Sequence, residues 1–222
     1  MLDTPDIYAP AAFRARVLDR FESRADVLAA TGGDHALNPG YDPDTDERTF
    51  KPAAVLIAVR EVEGEARVIL TQRTDHLTSH KGQIAFPGGK LDAGEEAVAA
   101  ALREAHEEID LSPEDVEVLG AFGTYYSGSG YAIVPVVAMV TGDAPLTPNP
   151  DEVADIFEVP LGFLMDQRHH RIESREWKGI ERFFYVMPYT EIGGDDGVER
   201  RIWGVTAGII RMVQERLYGA AT

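Results

Sequence analysis

Three glutamates occupy positions from which a chain can gather divalent cations. Residues 96–109 read as one helix, and at 100° per residue Glu107 and Glu108 fall about −60° and +40° from Glu104. The three carboxylates then share an arc of roughly 100° within about 6 Å of axial rise. Like charges three and four residues apart destabilise an isolated helix by about a few tenths of a kcal/mol per pair. Such crowding becomes favourable when hard Mg²⁺ or Mn²⁺ ions bind, because these prefer carboxylate and water oxygens. A bare run of glutamates is most often a solvated face. The surroundings argue for more here. Gly88-Gly89 precede the helix by a loop, so the backbone can turn tightly and offer a carbonyl or amide to a ligand. Glu95 and Arg103 are spaced to pair and hold that loop against the helix.

The elements that must position these groups follow from periodicity. Val98, Ala101, Leu102, Ala105 and Ile109 fall on the neighbouring face of the same helix, which predicts that this face packs into a core. Upstream, Ala53–Arg60 and Ala66–Arg73 are β-rich runs joined through Gly64, a predicted hairpin, and Gln83–Phe86 reads as a short third strand. Val116–Thr124 and Tyr131–Thr141 read as strands around a Gly-rich loop. Residues 142–151 form a Pro/Asp/Asn loop, and Pro160 opens a short helix. Arg171–Lys178 and Glu181–Tyr189 make another hairpin, and residues 203–218 a helix. Residues 10–30 are expected as one helix ended by Gly32-Gly33, and residues 33–50 as a polar linker. Strands mixed with few helices predict an α/β sandwich. The expected division is 1–48, an N-terminal helix and linker, and 49–222, the main domain.

Composition narrows the function. The 222 residues carry 21 Lys+Arg against 38 Asp+Glu, a net charge of −17, which argues against nucleic acid as a partner. There is no cysteine, so disulfides, thiolate catalysis and Cys-ligated zinc are excluded. The apolar runs Ala53–Val59 and Ala132–Val140 are too short to cross a membrane. The start, MLDTPD, has no signal-peptide character, and the expectation is a soluble, cytoplasmic protein. Charge is also distributed unevenly. Residues 66–90 sum to +3, while Glu95–Asp110 sum to −5. A cationic stretch beside a carboxylate helix suits a polyphosphate substrate, with cations for phosphate oxygens and metals for the reacting centre.

The stretch 88–111, GGKLDAGEEAVAAALREAHEEIDL, resembles the Nudix box, G-x5-E-x7-R-E-U-x-E-E-x-G-U, with U a bulky apolar residue. Gly89, Glu95, Arg103, Glu104, Glu107, Glu108 and Leu111 match. Two positions depart: Ala105 is small where a bulkier residue is usual, and Asp110 replaces the final Gly. If that glycine takes a left-handed helix-end conformation, Asp is among the better substitutes. The resemblance implies a Nudix-type α/β/α sandwich with a mixed sheet. It also implies hydrolysis of a nucleoside diphosphate linked to another group, with Mg²⁺ or Mn²⁺ held by Glu104, Glu108, Glu107 and the Gly88-Gly89 backbone.

The segment 70–89, LTQRTDHLTSHKGQIAFPGG, resembles the signature of the coenzyme A pyrophosphatase branch of that superfamily, and the likeness extends over about residues 50–210. It implies cleavage of coenzyme A or an acyl-CoA into 4′-phosphopantetheine and adenosine 3′,5′-bisphosphate. Arg73, His80 and Gln83 are then candidates for phosphate or substrate contacts, with Gln83 also able to brace the loop and His80 to orient a neighbour. Glu152 and Glu107 compete with a metal-bound hydroxide as general base, and Arg103 belongs to the catalytic set. Tyr126, beside Tyr125 and Gly128, could line a pocket for adenine or the pantetheine arm. The alternatives are a hydrolase of ADP-ribose or NADH, and a non-catalytic ligand sensor of the same fold. Self-association as a homodimer stays open.

Overall fold

The structure, a computed structural model, describes residues 6–23, 25–38, 49–76, 81–143, 145–177, 179–191 and 197–219. Helices α1 (Pro10–Ser23) and α2 (Ala25–Ala29) come first, then a two-residue strand, β1 (Gly32–Gly33). Strand β2 (Lys51–Val62) turns back into β3 (Glu65–Arg73). Short strands β4 (Ile84–Ala85) and β5 (Gly88–Lys90) lead into α3 (Ala97–Ile109). Next come β6 (Val116–Ala121), β7 (Tyr125–Tyr126), β8 (Tyr131–Val140), β9 (Val153–Pro160) and α4 (Leu161–Met165). Strands β10 (Arg171–Trp177), β11 (Ile180–Glu191) and β12 (Val198–Trp203) precede α5 (Val205–Tyr218).

The main sheet is mixed. β2 and β8 run parallel at its centre, from Lys51 opposite Tyr131 to Arg60 opposite Val140. β3 pairs antiparallel with β2, and β9 with β3. β6 and β7 pair with β8, while β5 pairs with the first residues of β2. The β2–β3 turn has positive φ at both Glu63 (52°) and Gly64 (83°), the geometry that matches strand twist in a two-residue hairpin. Strands β10, β11 and β12 form a separate antiparallel sheet.

Alternation along β2 splits the core in two. Ala54, Leu56 and Ala58 face α3, with Ala100, Ala101, Ala105 and Ile109 opposite. Ile57 and Val59 face the other side, with Phe13 and Val17 of α1, Leu161 of α4 and Ile209, Ile210 and Leu217 of α5. This is an α/β/α sandwich. Alanines on both sides of the α3 contact let the helix lie close to the sheet, and Ala105, fully buried, is one of them.

Several expectations change. The single helix over 10–30 is two helices, and the second turns Leu28 into the core while Arg216 of α5 donates to the Leu28 and Ala30 carbonyls. Gly32-Gly33 does more than end a helix: it pairs parallel with Tyr125-Tyr126. Asp34 accepts from the Tyr125 hydroxyl at 2.6 Å and from the Gly128 N–H at 2.7 Å, and Asn38 exchanges two hydrogen bonds with the Phe183 backbone. Residues 39–48 of the expected linker lie outside the described residues. Val98 and Leu102, expected in the core, are half-buried, whereas Ala100 is fully buried. β9 and β12 went unforeseen. β12 is anchored by Arg200, whose guanidinium bonds Gln72, Asp155 and Glu191 and lies 4.3 Å from the centre of the Phe157 ring.

Candidate functional site

The site is built where β5 passes between β2 and α3. At Gly88 only glycine fits, and at Gly89 any side chain would have to displace the Glu104 carboxylate. A Cβ on Gly88 would stand 2.4 Å from the Ala54 carbonyl oxygen, and one on Gly89 would stand 2.4 Å from the Glu104 carboxylate. The backbone of β5 therefore lies directly under the glutamates of α3. The helix ends where Asp110 adopts the left-handed conformation (φ 57°, ψ 30°), as expected of the residue in place of glycine.

Glu108 sits on the last turn of α3 and is only 4% exposed. Its Oε2 accepts from the Gly88 N–H at 3.1 Å, and its Oε1 lies 3.5 Å from Arg73 Nη1. Burial raises its pKa to about 7; the Gly88 N–H and Arg73 oppose the rise, and Glu104 and Glu152 add to it. Glu104, half-buried, is also pushed up by burial, against the pull of Arg103 and with Glu107 and Glu152 reinforcing the rise. The carboxylates of α3 and Glu152 thus sense one another's charge.

Arg103 organises the exposed side. It forks onto Glu95 at 2.9 and 3.0 Å, reaches Glu104 Oε1 at 3.0 Å and Glu107 Oε2 at 3.1 Å, and donates to the Lys90 carbonyl at 3.1 Å. Glu95 in turn accepts from the Asp92 N–H at 2.9 Å. The expected Glu95–Arg103 pair is present and ties the loop after β5 to the helix. Hydrogen bonding from Arg103, then from the Asp92 N–H, holds the Glu95 carboxyl below its ordinary range.

Glu152 arrives from outside the helix. Arg73 Nη2 lies 3.8 Å from its Oε2, so one guanidinium spans Glu108 and Glu152. The Thr74 N–H donates to the Glu152 carbonyl at 3.0 Å. Asn149, missed in the sequence, fixes this turn: its N–H donates to the Glu108 carbonyl at 2.9 Å, its side-chain amide to the Glu107 carbonyl at 3.3 Å, and its own carbonyl accepts from Glu152. The Asn149-Pro150 turn signal could have pointed to it. His76 lies against the Asp151 carbonyl at 3.1 Å in the same turn. The Gln83 carbonyl accepts from the Arg73 N–H at 2.9 Å, which places it beside the site. Tyr126 is elsewhere. It packs edge-on against Phe50, with ring centres 5.0 Å apart, on β7, which β8 and β2 separate from β5. His80 lies outside the described residues.

Among the described residues, no three carboxylates or imidazoles close into a cage as the side chains stand. Arg103 holds Glu104 and Glu107, while Gly88 and Arg73 hold Glu108. The donor set still fits a hard divalent cation. It is anionic, all-oxygen and partly desolvated, and it lies against the Gly88-Gly89 backbone. A carboxyl buried until its pKa nears 7 is an anion that the chain's own cations compensate only in part.

A family model, that of the NUDIX domain, matches residues 50–183. The chain belongs to the Nudix family. The matched region of this Nudix protein runs from β2 to the first residues of β11 and contains all the site residues above. The chain is 37% identical over 171 residues to the Nudix hydrolase NudL of Yersinia pestis (strain Pestoides F), itself described as uncharacterized, covering 76% of this chain and 81% of the relative. The same figures hold for NudL of Yersinia pseudotuberculosis (serotype O:1b, strain IP 31758). Among solved structures, it resembles the Nudix hydrolase RenU of M. smegmatis at 26% identity and TM-score 0.44, over 50% of this chain and 71% of that one. It resembles the MutT/nudix family protein of Enterococcus faecalis at 16% identity and TM-score 0.45, over 89% and 71%. Among the described residues, no helix of this Nudix chain is long and apolar enough to cross a membrane.

Proposed function

We propose that this Nudix protein hydrolyses the pyrophosphate of coenzyme A or an acyl-CoA, giving 4′-phosphopantetheine and adenosine 3′,5′-bisphosphate. One observation carries the reading. Arg73, from the segment that resembles the coenzyme A pyrophosphatase signature, reaches Glu108 of the box and, on its other side, Glu152 from beyond the box. Substrate signature and box thus meet at one guanidinium.

Glu104, Glu107 and Glu108, with the Gly88-Gly89 backbone, would hold Mg²⁺ or Mn²⁺. Bound there, the metal would neutralise phosphate oxygens and acidify water. The other steps belong to the chain. Arg73 turns from its carboxylates to a phosphate oxygen. Gln83 keeps the Arg73 backbone in place. Arg103 holds the Glu104 and Glu107 carboxylates together on one side of the helix. Glu107 and Glu152, both with exposed side chains, are the carboxylates open to water, and one of them accepts its proton as it attacks phosphorus. His80 meets a polar group of the substrate, and Tyr126 with Phe50 offers an apolar platform for adenine or the pantetheine arm. The products are small and soluble, which agrees with a cytoplasmic enzyme.

The test is a panel of coenzyme A, acetyl-CoA, ADP-ribose, NADH and nucleoside triphosphates, each with Mg²⁺ or Mn²⁺ and products read by mass spectrometry. The expected result is coenzyme A cleaved with the highest kcat/KM. Intact coenzyme A beside rapid cleavage of ADP-ribose or NADH overturns the substrate assignment.

A further inference from the structure

Among the described residues, the smaller sheet ends in an unpaired edge. All seven residues of β10 are exposed, and so are the first four of β11. Among the described residues β10 pairs with β11 alone, which leaves its outer row of N–H and C=O groups as a template for another strand. The hairpin is also apolar for a free surface: Ile172 is 54% exposed, Trp177 63% and Ile180 53%. Residues of this kind, gathered on one edge, mark an interaction site.

The charges say what fits there. One face of β10 reads Arg171, Glu173, Arg175, Trp177. Inside the hairpin Arg175 lies directly opposite Arg182, and Glu176 opposite Glu181. Like charges directly opposite are unfavourable. A second β10, running antiparallel about a two-fold axis through Ser174, sets Glu173 opposite Arg175 of the partner subunit, and Arg175 opposite Glu173 of the partner subunit. Each Arg175 then has a carboxylate directly opposite it, where its own hairpin sets Arg182. Arg171 meets Trp177 of the partner subunit, a cation against an indole. Facing side chains share a face only when the axis passes through a residue. Moving the axis to Glu173 sets Arg171 against Arg175, and moving it to Arg175 sets that arginine against itself. Of these three central registers, only Ser174 pairs opposite charges. The Glu173–Arg201 ion pair within the chain uses one carboxylate oxygen and leaves the other for this contact.

We propose that β10 is a self-association edge, on which a second copy of this chain docks antiparallel in register about Ser174 and joins the two three-stranded sheets into one. The test is sedimentation equilibrium of the full chain from micromolar to submillimolar concentration. Wild type is expected to show a monomer–dimer equilibrium. Glu173→Arg and Arg175→Glu alone each weaken it by about tenfold or more, since each sets like charges across the axis. The double variant Glu173→Arg/Arg175→Glu restores it. Both positions are exposed, so circular dichroism should match wild type, and melting should fall only by what the Glu173–Arg201 pair contributes in the variants that carry Glu173→Arg. As the chain has no cysteine, Ser174→Cys gives a second readout: mild oxidation should yield a disulfide-linked dimer through the axis. Wild type that stays monomeric, a dimer that both single variants leave intact, or a double variant no tighter than the singles overturns the proposal.

Discussion

Glu108→Gln should make the metal-free protein more stable while abolishing turnover. The reasoning starts from burial. Glu108 is 4% exposed, and its pKa is raised to about 7. In the unfolded chain a glutamate titrates near its ordinary value of about 4.3. Between these values the folded state holds the proton and the unfolded state has lost it, so stability falls as pH rises through that window and stays low above pH 7. A shift of this size corresponds to about 3–4 kcal/mol, lost in full by about pH 8, of which only about 1 kcal/mol is lost at pH 5. Glutamine keeps an acceptor for the Gly88 N–H and has no charge to desolvate. With chelator present, the variant should therefore melt higher than wild type at pH 8, by roughly 5–10 °C, and nearly together with it at pH 5. The assay is thermal and urea denaturation of both proteins at the two pH values. A variant no more stable than wild type at pH 8, or a gap equal at both pH values, refutes the idea that Glu108 is a buried anion awaiting a cation.

Arg103→Lys should lower kcat by about 10–100-fold with little change in KM, because a point charge cannot keep the fork onto Glu95 while also holding Glu104 and Glu107; steady-state kinetics with Mn²⁺ checks this. Asp110→Gly should stabilise the protein by about 0.5–1 kcal/mol, since it removes a side chain held at φ 57°, and urea titration reads the gain. Arg200→Met should destabilise by about 2 kcal/mol in the same titration, because it leaves Asp155 and Glu191 facing each other without their shared cation.

The helix, its glutamates and the β2–β3 hairpin were legible because each rests on local rules. Carboxylates three and four residues apart must share a face, Gly64 invites a tight turn, and an Asp in place of a helix-ending glycine suits a left-handed residue. The Glu95–Arg103 pair was legible for the same reason. What stayed hidden depends on long-range pairing. β9 interrupts its alternation with Asp155 and Glu158, and those acids are matched only by Arg200 and Arg60 from distant strands. Gly32-Gly33 carries no side-chain signal, and its partnership with β7 exists only in three dimensions. Asn149 is likewise read as a loop residue until the end of α3 is seen to bond it. Tyr126 depends on the fold as well: aromatic and glycine composition suggested a pocket wall for adenine or the pantetheine arm, and the fold sets it against Phe50 with β8 and β2 between it and β5.

The most direct measurement is isothermal titration of the chelator-treated protein with Mn²⁺ at pH 8, for wild type and for Glu104→Gln/Glu108→Gln. Saturable uptake by wild type, weakened by about a hundredfold or more in the folded double variant, is the outcome the site chemistry requires. Uptake of equal strength by both proteins, or none by either, would contradict it.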